Sequence, residues 1–245
     1  MRSQFVNRFS FIKPAYKPES AWHKHSPFAF WLLSKLKPKT LVELGVHNGF
    51  SFFVFCQAGK LYRGKKMFYA VDHWQGDNHA GYFEDDVYLK FIEHQQKYKY
   101  TSGVIRDSFE NALSHFSNQS IDVLHIDGRH FYDDVKKDFE NWKPKLKQDA
   151  IVLFHDTQVV ERDFGVHVFW KELVEQYPLT FEFNFGHGLG IICLGTGSTL
   201  PNAVYNLLML DVKRVNEVQQ MYKLLGTQIH YEYLLDEYKV SYTSE

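Results

Sequence analysis

Apolar positions fall in short blocks separated by polar, glycine-bearing junctions, and the blocks alternate between two periods. "TLVELGV" (40–46), "KMFYAVD" (66–72), "SGVIRDS" (102–108), "IDVLHID" (121–127) and "DAIVLFHDT" (149–157) are brief and mostly rich in β-branched residues, as strands buried on both faces are. Between them lie segments with helical spacing. "SFFVFCQAGK" (51–60) is apolar nearly all round, so it predicts a buried helix. "GYFEDDVYLKFIEHQQKY" (81–98) repeats Phe83, Val87, Phe91 and His94, and predicts a helix over that stretch. "SFENALSHF", "YDDVKKDFENWKPKL" and "FGVHVFWKELVEQY" predict three more helices. Alternating strand and helix predicts an open, mostly parallel α/β sheet. The rhythm then breaks: "TFEFNFGHGLGIICLG" (180–195) is strand, glycine-rich turn, strand, which predicts a hairpin at the end of that sheet.

The ends are different. Residues 1–26 carry Pro14 and Pro18 and predict an irregular N-terminal arm. "SPFAFWLLSKLKP" predicts a helix with Ser26 as N-cap, Pro27 in the first turn and Pro38 as the stop. After Pro201 the chain is helical in pattern, with Leu207, Leu210, Val212 and Val215 near helical spacing; this stripe packs on its own sheet or forms a homodimer contact. The organisation expected is an arm over 1–26, a catalytic domain over 27–196 and a C-terminal helical extension over 197–245.

Composition excludes several classes. With 245 residues, 44% hydrophobic and 23% charged, the chain can bury a large core as an ordinary globular domain. A formal net charge of -1 argues against a general grip on nucleic acid or an anionic membrane. No apolar run is long enough for a membrane span, and the N-terminus has no continuous apolar signal core. Cys56 and Cys193 each lie in apolar context with no zinc spacing, so free buried thiols and a cytoplasmic location are expected.

The chemistry gathers at strand ends. In "VELGVHNGFS", Glu43, Gly45 and Gly49 stand at a strand-to-helix junction, and the helix from Ser51 aims its N–H groups at that point. A dinucleotide fingerprint wants a third glycine where this chain has His47, which disfavours a pyrophosphate. Asp72 ends the next strand, 23 positions after Gly49, where an acid can bind ribose hydroxyls, and Trp74 is close enough to pack on an adenine. The plain alternative is a tight turn followed by a solvated Asp. Asp127 and Asp156 both end strands on the same ligand edge, and two hard carboxylates can hold a divalent cation such as Mg²⁺. His130 follows at a helix start, where the dipole favours a neutral base. Asp133 and Asp134 read as first-turn helix residues and Asp138 as a surface residue. His125 lies inside a strand, and His155 is expected to point away from Asp156 by strand alternation, so neither is assigned to the site.

Together, "VELGVHNG", "YAVDHWQGD", "IDVLHIDGRHFYDDVKKDFENW", "AIVLFHDT" and "HGLGIICLG" resemble a class I S-adenosylmethionine-dependent methyltransferase, over roughly Pro27 to Gly195. More narrowly they resemble the small-molecule O-methyltransferases associated with glycans and glycosylated natural products. The resemblance implies a Rossmann-like αβα sandwich with a seven-stranded sheet whose last strand is antiparallel. It implies that Glu43, Gly45, His47, Gly49 and Ser51 surround the methionine part of S-adenosylmethionine. It also implies that Asp72 binds the ribose, that Asp107 and Ser108 lie near the adenine, and that, as in the metal-dependent members, Asp127 and Asp156 bind Mg²⁺ with His130 the candidate base. Thr157 stands where the related catechol enzymes have Asn, so the third metal ligand is open, with Glu84 and Asp85 as candidates. Trp22, Trp74, Tyr82 and Phe83 are available to stack on a sugar or simply to pack. The expected activity is Mg²⁺-assisted O-methylation of a sugar or glycan-related hydroxyl; a binding protein that keeps the fold without the reaction is the alternative, and a metal-dependent hydrolase ranks behind it.

Overall fold

The computed structural model describes residues 4–77, 81–82 and 84–243. Phe83 lies outside the described residues. In chain order the strands are β1 Thr40–Leu44, β2 Met67–Asp72, β3 Gly76–Asp77, β4 Gly81–Tyr82, β5 Ser102–Arg106, β6 Ile121–Ile126, β7 Leu146–His155, β8 Thr180–Phe183 and β9 Leu189–Cys193. The helices are α1 Ser26–Leu36, α2 Phe50–Gly59, α3 Asp85–Gln95, α4 Phe109–Ala112, α5 Tyr132–Trp142, α6 Val166–Gln176, α7 Asn202–Leu208 and α8 Val212–Thr243. Seven strands form one sheet in the order β5-β2-β1-β6-β7-β9-β8, while β3 and β4 make a small separate hairpin. β9 runs antiparallel to both of its neighbours, β7 and β8, and the remaining pairs are parallel. The fold is thus the expected Rossmann-like sandwich with a reversed last strand.

Alternation along the strands feeds two core layers. Leu41, Val123, Ile151, Leu153 and Ile191 face α1, α2 and the N-terminal arm. Val42, Leu44, Leu124, Ile126, Val152 and Phe154 face α5 and α6, where Val135, Phe139 and Trp142 supply the apolar stripe of α5. α2 is buried on every side, as its sequence requires, and Cys56 and Cys193 are free and buried.

Several local expectations are corrected. Ser26 is inside α1, donating its hydroxyl to the His23 carbonyl at 2.8 Å; a 3₁₀ turn, Ala21–His25, precedes the helix and is capped by Ser20, which accepts from Trp22 N at 3.1 Å. α3 starts at Asp85, because Gly81 and Tyr82 pair with the β3 segment. The C-terminal stripe packs inward, the first of its two readings: Leu207 is fully buried and Leu210 and Val215 lie against the core, leaving only Val212 of the four exposed. Trp22, His23 and His25 of the arm are buried, so the arm is ordered by packing. It is tied to α8 by Lys13–Glu232 at 2.6 Å, by Lys17–Asp236, and by a backbone approach so close that a Cβ on Gly226 would lie 2.0 Å from the Lys24 carbonyl oxygen. Among the described residues no helix is long and apolar enough to cross a membrane.

Candidate active site at the carboxyl edge of the sheet

The turn after β1 is left-handed at three positions: Gly45 (φ 82°), His47 (φ 48°) and Gly49 (φ 82°). Glycine is required at 45, since a Cβ there would sit 2.0 Å from the Asp127 carbonyl oxygen. The Asp72 carboxylate holds this turn. Its Oδ2 accepts from Val46 N at 2.7 Å and His47 N at 3.1 Å, and its Oδ1 accepts from Trp74 N at 2.7 Å. Trp74 is 1% exposed; its indole N–H donates to the His47 carbonyl at 3.0 Å and its ring packs on Tyr88 and Phe91. Trp74 therefore braces the turn from the core side, and its ring is not on the open cleft where an adenine would lie.

Glu43 lies beneath the same turn, fully buried. Its Oε1 accepts from the Ser51 hydroxyl and from His125 Nδ1 at 3.1 Å, and burial raises its pKa. His125 in turn accepts from the Trp22 indole N–H at 3.2 Å through Nε2. An indole nitrogen only donates, so His125 is the neutral tautomer with its proton on Nδ1.

Asp127, His130 and Asp156 converge as expected, and two further histidines join them. His130 Nε2 is 2.9 Å from Asp156 Oδ2 and 3.8 Å from Asp127 Oδ1. His155 Nδ1 lies 3.2 Å from each carboxylate, and His187 Nδ1 lies 3.2 Å from Asp156 Oδ1. The expectation that His155 points away fails for a local reason. Its side chain does share the face of Glu43 and His125, but Asp156 is left-handed (φ 62°), and this break in the strand turns its carboxylate back onto that face. The register places His155 there: Glu43 pairs with His125, His125 with Leu153, and His155 follows two positions on.

Burial opposes every charge here, and the mutual pairing outweighs it. His155 and His130 hold both carboxyls well below the usual range, and the carboxylates lift His155 well above an ordinary histidine. His130, although buried, is raised to about 9 by the adjacent carboxylates of Asp127 and Asp156. This reverses the expectation of a neutral His130 from the helix start alone: two adjacent carboxylates outweigh a helix N-terminus.

Two hollows meet at this cluster. One, about 240 Å³, is lined by Gly45, His47, Asp72, Ser108, Asp127 and His130 among others. The second, about 190 Å³, shares Gly45, His47, Asp127 and His130 with the first and is closed by Glu19, Ser20, Asn48, Arg162, Phe164 and His187. Gly49 and Ser51 line only the second. The Phe164 ring stacks on His130 at 4.4 Å. Ser108 caps α4, accepting from Asn111 N at 3.2 Å, whereas Asp107 is off the cleft and accepts from Ser108 N at 2.7 Å. Asp134 pairs with Arg129 in the first turn of α5. Asp138 is part-buried rather than a surface residue, and burial, with Asp134 beside it, raises its pKa to about 7. Tyr82 is exposed on its hairpin.

Asp127, His130 and Asp156 each offer a donor atom, all within 4.8 Å of one another. Such a group of donors could hold a metal ion, and two hard carboxylates are the kind of ligand a small divalent cation takes. Neither candidate for a third oxygen joins them: Asp85 pairs with Arg106 at the β5 edge, and Glu84 is exposed at the start of α3. Thr157 is buried with its hydroxyl against the Gly188 backbone.

Residues 42–157 match the methyltransferase domain family. Protein y4gI of Sinorhizobium fredii is 43% identical over 211 residues; the match covers 86% of this chain and only 23% of that relative's length. Among solved structures, a methyltransferase from Geobacter sulfurreducens has a TM-score of 0.53 at 14% identity, covering 74% of this chain and 82% of its own. The O-methyltransferase TomG of Streptomyces achromogenes, solved with S-adenosylmethionine, has 0.53 at 11%, with 74% and 83% covered. Spermidine synthase of Thermotoga maritima has 0.51 at 11%, with 82% and 75% covered. Such identities speak for the fold, which hosts more than one reaction. The family match falls on the strands and turns that build the cleft, so over residues 42–157 the chain is similar to a methyltransferase domain, set in a Rossmann-like fold.

Proposed function

We propose that the chain is an O-methyltransferase that moves the methyl group of S-adenosylmethionine to a hydroxyl of a sugar or glycan-related acceptor, with Mg²⁺ held by Asp127 and Asp156. The observation that carries this is the meeting of two hollows at Asp127 and His130, one bordered by the glycine turn, Asp72 and Ser108, the other by polar groups. S-Adenosylmethionine takes the first, with Gly45 and His47 against its methionine part, Asp72 toward the ribose through the free lone pair of Oδ1, and Ser108 near the adenine. Glu43 acts from below, keeping the turn in shape through Ser51 and His125. The acceptor enters the second hollow, whose Glu19, Ser20, Asn48, Arg162 and His187 are the kinds of partner that sugar hydroxyls use.

The sulfonium is already an electrophile, so the protein's part is alignment and proton removal. A cation held by Asp127 and Asp156 would supply positive charge that makes an acceptor hydroxyl more acidic and offsets the carboxylates that keep a proton on His130. His130 Nε2 would be the base for the hydroxyl proton, and Phe164 fixes the plane of its ring. A vicinal diol, as in a sugar, offers two oxygens to such a site.

The test is transfer from labelled S-adenosylmethionine to glycan and nucleotide-sugar fractions, with Mg²⁺ and after chelation. Transfer is expected to need the cation, and His130→Ala is expected to lower it by about 10²–10⁴ with S-adenosylmethionine affinity retained. A variant rate within about tenfold of wild type removes the base role; an unchanged rate after chelation removes the cation.

A further inference from the structure

Behind the carboxylates lies a support that comes from the N-terminal arm. Gly186 is in the turn between β8 and β9, and its one carbonyl oxygen meets two buried imidazoles: His25 Nε2 at 2.8 Å and His155 Nε2 at 3.2 Å. A carbonyl only accepts, so both rings donate to it from Nε2. His155 then spends its other nitrogen on Asp127 and Asp156, 3.2 Å from each. The direction of the Gly186 carbonyl thus sets the tilt of His155, and that tilt sets the spacing of the two carboxylates.

The turn is closed by Gly188 N donating to the Phe185 carbonyl at 3.0 Å and is joined to the end of β7 by Gln158 N donating to the His187 carbonyl at 2.9 Å. Gly186, His187 and Gly188 are left-handed in succession, at φ 57°, 66° and 93°. His25 pins it from outside: its ring stacks on Phe185 at 5.4 Å with 19° between planes, and a Cβ on Gly186 would come 2.9 Å from its Nε2. His25 belongs to the same short 3₁₀ turn as Trp22, whose indole fixes His125 against Glu43. One turn of the arm therefore braces both halves of the cleft.

We propose that His25 is a positioning residue for methyl transfer: through the Gly186 carbonyl it orients His155 and so holds Asp127 and Asp156 at their working separation. This rests on the active-site assignment above, and it makes the arm part of the catalytic apparatus.

Two variants test it. His25→Phe keeps the stack on Phe185 and removes the donor; His25→Gln restores a donor at nearly the same point. With labelled S-adenosylmethionine and a glycan fraction as acceptor, His25→Phe is expected to slow transfer about 10–100-fold while calorimetric affinity for S-adenosylmethionine stays within about twofold. His25→Gln is expected to recover to within about threefold of wild type. A wild-type rate in His25→Phe, a His25→Gln variant as slow as His25→Phe, or cofactor affinity falling in step with the rate overturns the proposal. If wild type itself transfers no methyl group, the functional assignment fails, and the geometry is judged by ¹⁵N-histidine NMR. A hydrogen-bonded His155 Nε2–H in wild type and His25→Gln, lost in His25→Phe, supports the positioning link; the same signal in all three overturns it.

Discussion

Asp72→Asn separates two jobs that one carboxylate performs. The residue was expected to bind ribose hydroxyls, yet without a cofactor it already accepts from three backbone N–H groups, of Val46, His47 and Trp74. Its side chain is only 14% exposed, so water replaces little of what is lost. Asn has nearly the same shape but one acceptor oxygen. If that oxygen keeps Val46 and His47, the amide nitrogen faces the Trp74 N–H, donor against donor. Bonds to a charged acceptor contribute about 1.5–3 kcal/mol each and neutral ones about 1 kcal/mol. Losing one and weakening two predicts a loss of about 2.5–7 kcal/mol, a large share of the 5–15 kcal/mol typical of a domain. Guanidinium unfolding measures that loss, and calorimetry measures S-adenosylmethionine affinity in the same variant. Both should fall. If affinity drops tenfold or more while stability changes by less than about 0.5 kcal/mol, Asp72 acts on the ligand alone and the clamp argument is wrong.

Two further outcomes follow from the same geometry. Gly45→Ala puts a Cβ 2.0 Å from the Asp127 carbonyl at a φ of 82°, so a large drop in melting temperature and loss of S-adenosylmethionine binding are expected by thermal shift; a normal melting curve refutes the close approach of β1 and β6. Asp138→Asn should stabilise the protein at high pH. The folded pKa of Asp138 is raised to about 7, above its unfolded value near 4. The folded state therefore holds the extra proton between those values, and wild-type stability falls as pH rises through that window. Urea unfolding should find the variant more stable than wild type at pH 8 and the difference gone near pH 4; a variant less stable at pH 8 refutes the assignment.

Much of the architecture was legible because it is periodic. Short apolar runs in β1, β6 and β7 announce strands buried on both faces, and helical spacing between the runs announces the layers that cover them. The reversed β9 was legible from a glycine turn with no helix behind it. What escaped has no period. The arm is ordered by contacts some two hundred residues away, such as the Tyr222 hydroxyl donating to the Phe5 carbonyl at 2.6 Å and lying 3.3 Å from Ser10 Oγ. His155 escaped because alternation places a side chain correctly only until the strand ends, and here a left-handed Asp156 ends it at the point that matters.

The His at position 47 links these failures. A dinucleotide turn would have glycine there, and the absence of one argued against a pyrophosphate. The backbone still adopts the left-handed conformation that glycine would favour, φ 48°, at a cost of about 1–2 kcal/mol for a side-chain-bearing residue. The strain is held by two bonds, one on each side of the residue. Asp72 accepts from the His47 N–H, and the Trp74 indole donates to the His47 carbonyl. Asp72 and Trp74, which sequence spacing assigned to the ribose and the adenine, are thus the groups that keep the turn in shape before any ligand arrives. A turn already formed spares the cofactor the entropy of ordering it, and a residue that braces such a turn from the core has no ring face left for a base. Position along the chain located both residues at the right edge of the sheet; it does not carry the left-handed backbone of Trp74 itself, φ 54°, which goes with the burial of its ring in the core.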